Sequence, residues 1–431
     1  MGGNMFYKPV LNKSNRFCAS IVTFILLLIL LANSVFAVSE AAVLSLLISP
    51  SPQANAMGQT YGNIAGKDPI ATQFNPASLG LWAQNHYFAT SYLSPDVQWL
   101  PGYGDNLTYY SRSTALGVNL KNSTGLPISY GLSFNYSKFG LDMSSLEASS
   151  ILHSNYLFGD QVQSTSMALA VDYFVNASVG YTLKTITSRL ASVYNAEINA
   201  YDVGVIVKAP LCKLADQCHL LPLKKLRPFR PYFNPGLYYS LANVGDKISY
   251  TNSAYGDPLP RTVSLGVNLE TGIQYKINHQ YLDLVSFNWA HETDDLLIKV
   301  NRDKPSEYVN GFHDIKIWDN LLLGQANDEI ISKKGWQVEF ANFYSYRMGK
   351  FEDPDGRVFL ETQGYKINFL QPLKLLLICK SDRNFSLINT LLMNINFEYH
   401  YSRYKTTTGH PLKDTKFNGY VISLDNFPLH K

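Results

Sequence analysis

Apolar and polar residues alternate with a period of two over many stretches of this chain, the signature of half-buried β-strands. Between residues 263 and 277 the odd positions run Val263, Leu265, Val267, Leu269, Thr271, Ile273, Tyr275 and Ile277. The even positions are Ser264, Gly266, Asn268, Glu270, Gly272, Gln274 and Lys276. The same rhythm sets Tyr130, Leu132, Phe134 and Tyr136 against Gly131, Ser133 and Asn135, and Ile395, Phe397, Tyr399 and Tyr401 against Asn396, Glu398 and His400. Further strands are predicted over 167–183, 201–207, 285–289, 336–346 and 365–369, with weaker candidates near His86, Leu116, Leu237, Leu375 and Tyr420. Together these make about a dozen to fourteen strands, as in an even-numbered antiparallel array. Segments 212–235, 301–334 and 406–417 lack the rhythm, are rich in Lys, Pro, Asp and Gly, and read as connections.

The apolar face could meet a protein core or lipid, and composition separates the two. A soluble sandwich presents Lys and Glu on its outward face. Here the second face is mainly Asn, Ser, Gly, Gln and Thr. Only 16% of the 431 residues are charged while 46% are hydrophobic and 13% aromatic, against roughly a quarter charged in an ordinary soluble protein. The expectation is therefore all-β: a closed antiparallel transmembrane barrel of about 14 strands, polar inside and apolar outside, which leaves no strand edge exposed in hydrocarbon. A formal charge of +3 offers no basic surface for a phosphate backbone, so nucleic acid is excluded as a partner.

Lys8, Lys13 and Arg16 precede an apolar run from Ile21 to Ala32. As a helix this run would be about 18 Å long, short of the roughly 30 Å of a hydrocarbon core. It reads as an export signal, residues 1–37, cleaved after Ala37. No nucleophile elbow, zinc helix, phosphate loop or dinucleotide fingerprint occurs, so no catalytic residue, metal ligand or cofactor is assigned. His291-Glu292 reads as a rim pair, and Asp353-Pro354-Asp355-Gly356 as a turn. Cys212 and Cys218 bracket a short loop that export would allow to close as a disulfide. Arg347 falls on the polar face of its strand and needs an anionic partner, for which Asp68 is the candidate.

Three groups of residues carry a family likeness. The first is Leu46-Leu47-Ile48-Ser49-Pro50, Ala56-Met57-Gly58 and Asn75-Pro76-Ala77-Ser78-Leu79. The second is Asn243-Val244-Gly245-Asp246-Lys247-Ile248-Ser249-Tyr250 with Leu259-Pro260-Arg261-Thr262, and the third is Tyr346-Arg347-Met348-Gly349 with Asp355-Gly356. In this order they resemble the PorV family, outer-membrane barrels of the FadL-like group. The resemblance implies an N-terminal plug, residues 38–81, seated in a barrel formed by residues 82–431. Met57, Gly58, Gly62, Asn75, Pro76 and Ala77 would belong to the plug and lumen, and Asn243, Gly245, Lys247, Pro260, Arg347 and Gly349 to the barrel signature. It further implies residence in the outer membrane of a Gram-negative, Bacteroidetes-like bacterium. The function implied is binding and shuttling of secreted cargo proteins in type IX secretion, with translocon or attachment-complex components and membrane lipid as partners. The alternative is a FadL-like channel for long-chain fatty acids or other hydrophobic small molecules. A lipid A hydrolase, linked to the family by resemblance only, comes last.

Overall fold

The computed structural model describes residues 41–101, 107–141, 159–190, 194–218, 226, 228–250, 256–277, 280–301, 304–311, 314–379 and 387–425. The expected signal peptide and its cleavage site lie outside these residues. Fourteen strands close a cylinder: β1 (His86–Gln98), β2 (Leu107–Asn119), β3 (Ile128–Leu141), β4 (Gly159–Asp172), β5 (Asn176–Leu190), β6 (Tyr194–Lys208), β7 (Phe229–Gly245), β8 (Thr262–Ile277), β9 (Gln280–Leu296), β12 (Ile330–Phe340), β13 (Tyr344–Asp353), β14 (Val358–Asn368), β15 (Ile395–Lys405) and β16 (Lys416–Asp425). A small hairpin, β10 (Ile298–Asn301) and β11 (Lys304–Tyr308), stands in the connection after β9. Each barrel strand pairs antiparallel with its neighbour, and β1 pairs with β16 through registers such as Thr90 with Ile422, so the sheet has no free edge. Closure excludes the two-sheet sandwich.

Alternation decides which side chains face out. Tyr130, Phe134, Met167, Leu183, Leu237, Phe287, Phe359 and Ile422 are exposed on the exterior, while their strand neighbours Ser129, Ser133, Ser166, Thr182, Ser240, Asn288, Thr362 and Ser423 are buried inside. An exterior this apolar is a surface for hydrocarbon. Strands β12 to β16 have 10 or 11 residues, enough at the usual tilt to cover an apolar band about 25 Å tall. Strands β7 to β9 have 16 or 17 residues and stand taller.

Several sequence expectations need correction. The segments 167–183 and 336–346 are each two strands joined by a turn, at 173–175 and 341–343, and the irregular stretch 301–334 ends early because β12 begins at Ile330. His291-Glu292 is not a rim pair: both are buried, Glu292 inside the lumen against Lys333. The weak strand near Leu375 is a helix, Gln371–Cys379, because a short apolar run carries no period that tells the two apart. The irregular stretch 212–235 ends early, since β7 begins at Phe229 and contains Pro231 and Pro235. Those prolines are tolerated because this part of β7 pairs only with β8; pairing with β6 begins at Gly236. Cys212 and Cys218 are free thiols, not a disulfide. The helix Leu211–Gln217 sets them six residues apart, about 9 Å along the axis and on different faces, beyond the reach of a bridge.

Candidate functional site

Residues 41–85 lie inside the cylinder ahead of β1, and they fall into two parts. In the lower part, Ser51 caps the helix Pro52–Ala56 by accepting from the Ala54 amide at 3.2 Å, with Pro52 at the first helical position. The chain then turns through Gly58 at φ 65°, a conformation glycine adopts without strain. Its amide donates to Thr362 Oγ1 at 2.8 Å, and that hydroxyl donates to the Ala56 carbonyl at 3.0 Å. The wall meets the segment with glycines on its inward face. A Cβ at Gly335 or Gly349 would strike the backbone of Met57, one at Gly364 the Ala56 side chain, one at Gly180 the backbone of Pro76, and one at Gly204 the side chain of Asn75. The wall backbone therefore comes directly against the luminal segment at each of these points.

Asn75 locks the far end of this part. Its amide nitrogen donates to the Tyr239 carbonyl at 2.9 Å, and its oxygen accepts from the Ala77 amide at 3.0 Å. Between the two ends, Tyr61 stacks on Phe74 at 5.5 Å and on inward-facing Tyr238 at 4.8 Å, with Gly62 beneath the Tyr238 ring. Met57, Gly58, Gly62, Asn75, Pro76 and Ala77 are all buried at this interface.

Charged groups bind the lower part to the wall. Arg347, 1% exposed, donates to Gln337 at 2.7 Å and to Gln53 of the helix at 3.1 Å. Gln53 in turn donates to Asp68 at 2.6 Å. The guanidinium thus reaches Asp68 through one glutamine. Burial pushes the Asp68 carboxyl up to about 6, opposed by the hydrogen bonds it accepts from the Ile70 amide, Ser91 and Gln53. Beyond Arg347 the wall continues the network, with His400 at 3.3 Å from the guanidinium and 3.2 Å from Glu398, and Lys366 at 2.6 Å from Glu339. Farther along the same stretch of wall, Lys333 of β12 pairs with Glu292 at 3.0 Å and Asp294 at 2.5 Å of β9, and Glu292 also accepts from the Tyr61 amide at 3.3 Å.

The upper part, residues 41–50, sits in different surroundings. One apolar cluster joins Ile48 to Leu93, Val97, Tyr109, Leu360, Tyr404 and Phe417, and another joins Val43 to Val162, Ile186, Ala196, Ile248 and Leu259. Its polar ties are these: Ala42 donates to the Pro258 carbonyl at 2.9 Å, Ser45 donates to Asp160 at 2.6 Å, and the Ser49 and Ile48 carbonyls accept from Asn55 at 3.1 Å and from the Tyr109 hydroxyl at 3.5 Å. Val43 has φ 54° and ψ 50°, a left-handed conformation that is strained for a β-branched residue. Leu44 and Leu47 are exposed. Under Leu46, Leu47 and Ile48 lies a cavity of about 100 Å³, floored by Gln59, Tyr61 and Phe74 and walled by Tyr109, Asn135, Ser164 and Lys184.

The barrel signature residues shape the lid over this part. Asn243, at φ 57° in a bulge of β7 where Ala242 and Asn243 stand opposite Asp202, accepts from Lys184 at 2.7 Å, donates to the Pro260 carbonyl at 2.9 Å, and gives its backbone amide to Asp202 at 2.8 Å. Arg261 donates to the Gly245 carbonyl at 3.1 Å and lies 3.7 Å from the centre of the Tyr308 ring. Lys247 is half-buried in the same connection. These contacts hold residues 246–250 and 256–261 inward, where Ile248 and Leu259 join the apolar cluster around Val43.

No protein-family model and no curated protein matches this sequence. Solved structures do match it. The toluene transporter TbuX of Ralstonia pickettii is 15% identical, over 88% of this chain and 98% of its own, with a TM-score of 0.41. The toluene transporter TodX of P. putida is 10% identical over 88% and 99%, at 0.37. A FadL homologue of Pseudomonas aeruginosa is 11% identical over 88% and 98%, at 0.34. The likeness is one of fold.

Sequence reasoning missed several residues of this site. Tyr61, Tyr238 and Glu292 carry no motif. The inward glycines were visible as Gly on the polar face of β3, β5, β6, β12, β13 and β14, a signal of close backbone approach. The apolar upper lumen was hidden, because the inward face was read as polar along its whole length.

Proposed function

We propose that this protein is an outer-membrane channel for hydrophobic small molecules, closed at rest by residues 41–50. One observation carries the reading: around residues 41–50 the lumen is lined by two clusters of large aliphatic and aromatic side chains, whereas around residues 51–82 apolar contacts share the lining with the buried charges of Arg347, Lys333, Glu292 and Lys366. A water-filled pore is polar throughout, whereas a path for an apolar solute needs apolar walls with a few polar groups.

The membrane assignment rests on the exterior. The end that carries His86 and Asp425 has the short turns 173–175 and 341–343 beside two longer connections, between β6 and β7 and between β14 and β15, and the opposite end has the short turn 354–357 beside the long connections between β7 and β8 and between β9 and β12. In outer-membrane barrels short turns face the periplasm, which puts residues 41–50 toward the cell exterior. Apolar groups extend the exterior at both borders. The turn Ile317–Leu322 covers His291 just beyond Trp289 and exposes Ile317, Trp318 and Leu322, while the helix Gln371–Cys379 turns Leu373 and Leu376 outward and holds Lys374 against Asn396. Both suit the interfaces of a bilayer.

The resting cavity is smaller than the roughly 150 Å³ that accepts benzene. Leu46 and Leu47 must therefore shift to admit a solute of the kind the toluene transporters carry. Asn135, Ser164 and Lys184 border both this cavity and an external groove of about 870 Å³ between Phe134 and Leu183. β4 stands between β3 and β5 and is paired to both without a break, so a sideways path there requires those pairs to part. The cargo-shuttle reading keeps only its resemblance, since Asn243, Pro260, Arg347 and Gly349 make contacts inside the barrel that hold its own lid and plug.

Uptake of labelled oleate and labelled toluene by outer-membrane vesicles carrying the barrel tests the proposal against vesicles without it. Faster uptake of either is expected. Equal uptake of both contradicts it, and capture of a folded secreted protein by the same vesicles would favour the cargo reading.

A further inference from the structure

We propose that the periplasmic mouth of the lumen contains a binding site for a small oxyanion, a carboxylate or phosphate, between Lys67 and Lys208. The site is distinct from the apolar path and independent of the solute that uses it. A cavity of about 180 Å³ opens there between the luminal segment and the wall, lined by Lys67, Asn85, Asn176, Lys208, Asn234 and Glu270 among others. Asn176, Lys208, Asn234 and Glu270 come from four successive strands, β5 to β8, and converge from their inward faces.

Charge accounting favours an anion. Lys67 pairs with Glu270 at 2.7 Å. Burial alone would lower the Lys67 ammonium, and the carboxylates of Glu270, first, and of Glu339 and Asp283 farther off together more than reverse this, so Lys67 stays protonated. Lys208 donates to the Ala65 carbonyl at 3.1 Å, and among the described residues no carboxylate stands within ion-pairing distance of it. Among the residues that line the cavity, two ammonium groups face one carboxylate, an excess of one positive charge, with Glu339 and Asp283 acting only from outside the lining. A half-buried ammonium with a single carbonyl acceptor still has two N–H donors to satisfy. An oxyanion is the group that meets both needs, through short charge-assisted hydrogen bonds. The amides of Asn85, Asn176 and Asn234 add neutral donors around it. At about 30 Å³ per water in the liquid, the space suits an anionic head and a few waters, not a long chain.

The position has a consequence. Lys208 holds the Ala65 carbonyl and Lys67 follows two residues later, so both ammonium groups also tether this turn of the luminal segment to β6 and β8. An anion drawing on Lys208 competes with the Ala65 carbonyl and loosens that turn.

The test is a titration of the full chain in detergent with sodium phosphate, and separately with sodium acetate, against sodium chloride at matched ionic strength, read by calorimetry. Saturable heat with either oxyanion is expected, with phosphate and acetate telling which chemistry the site prefers. Lys208→Met and Lys208→Gln should each weaken the apparent affinity at least tenfold, while Lys121→Met, at the same end but on the outer surface, should leave it unchanged. Folding of each variant is checked by its heat-dependent gel migration. Absence of saturable heat with both oxyanions in the unaltered chain overturns the proposal, as does undiminished binding in folded Lys208 variants.

Discussion

The two parts of the luminal segment are continuous in sequence and held by different physics. Residues 51–82 rest on wall glycines and on apolar clusters around Tyr61 and Trp82, and are fastened in addition by buried, directional contacts: Thr362 to Gly58, Asn75 to Tyr239, Arg347 to Gln53. Residues 41–50 are held mainly by apolar side chains, with Ser45 to Asp160 and Ala42 to Pro258 as their chief polar ties and with strain at Val43. Directional contacts fix one geometry, because each broken bond leaves a buried partner unsatisfied. Apolar contacts permit a small displacement in exchange for another apolar partner, which is what a solute offers. The lower part is therefore the fixed stopper and the upper part the element that moves.

Substitutions sharpen this contrast, and those in the lower part should cost more. Arg347→Leu removes the buried cation that faces Gln53, Gln337 and His400 and leaves Glu398 and Asp68 without it. About 3–5 kcal/mol of stability should be lost, measured by urea unfolding of the barrel in micelles. Gly349→Val places a side chain against Met57 and Gly58. About 1–3 kcal/mol should be lost by overpacking, and single-channel conductance should rise as the stopper is pushed off the wall. Ser45→Ala in the upper part removes one hydrogen bond from Asp160, which keeps its bond from Ser188 at 2.5 Å. The cost should be about 1 kcal/mol with conductance unchanged. Leu47→Ala, at an exposed position, should change stability by less than about 0.5 kcal/mol, yet speed solute uptake by enlarging the cavity. A Leu47→Ala effect on unfolding as large as that of Arg347→Leu would erase the distinction.

The fold was legible because the period of two survives wherever the two faces of a strand meet different media. In β3, Tyr130, Phe134 and Tyr136 meet the exterior, and Ser133 and Asn135 meet the lumen. It failed where both faces are apolar. Toward the mouth, inward Leu93, Tyr109, Leu360, Tyr404 and Phe417 alternate with outward residues that include Tyr92, Tyr110 and Phe359, so no polar face marks the lumen and the upper lining stayed invisible. Arg347 could be found as a cation on a polar face, but its link to Asp68 runs through Gln53, which nothing in the spacing announces. The prolines at 231 and 235 read as a loop because a sequence does not reveal that one side of β7 there is unpaired.

Hydrogen exchange of the full chain in lipid nanodiscs, followed peptide by peptide, tests the central contrast most directly. Amides of residues 51–82 should exchange as slowly as those of the barrel strands, and amides of residues 41–50 at least a hundredfold faster, slowing when a hydrophobic solute is added. Equal protection of both parts, or exchange of residues 51–82 as fast as that of residues 41–50, would contradict the division into a fixed stopper and a moving gate.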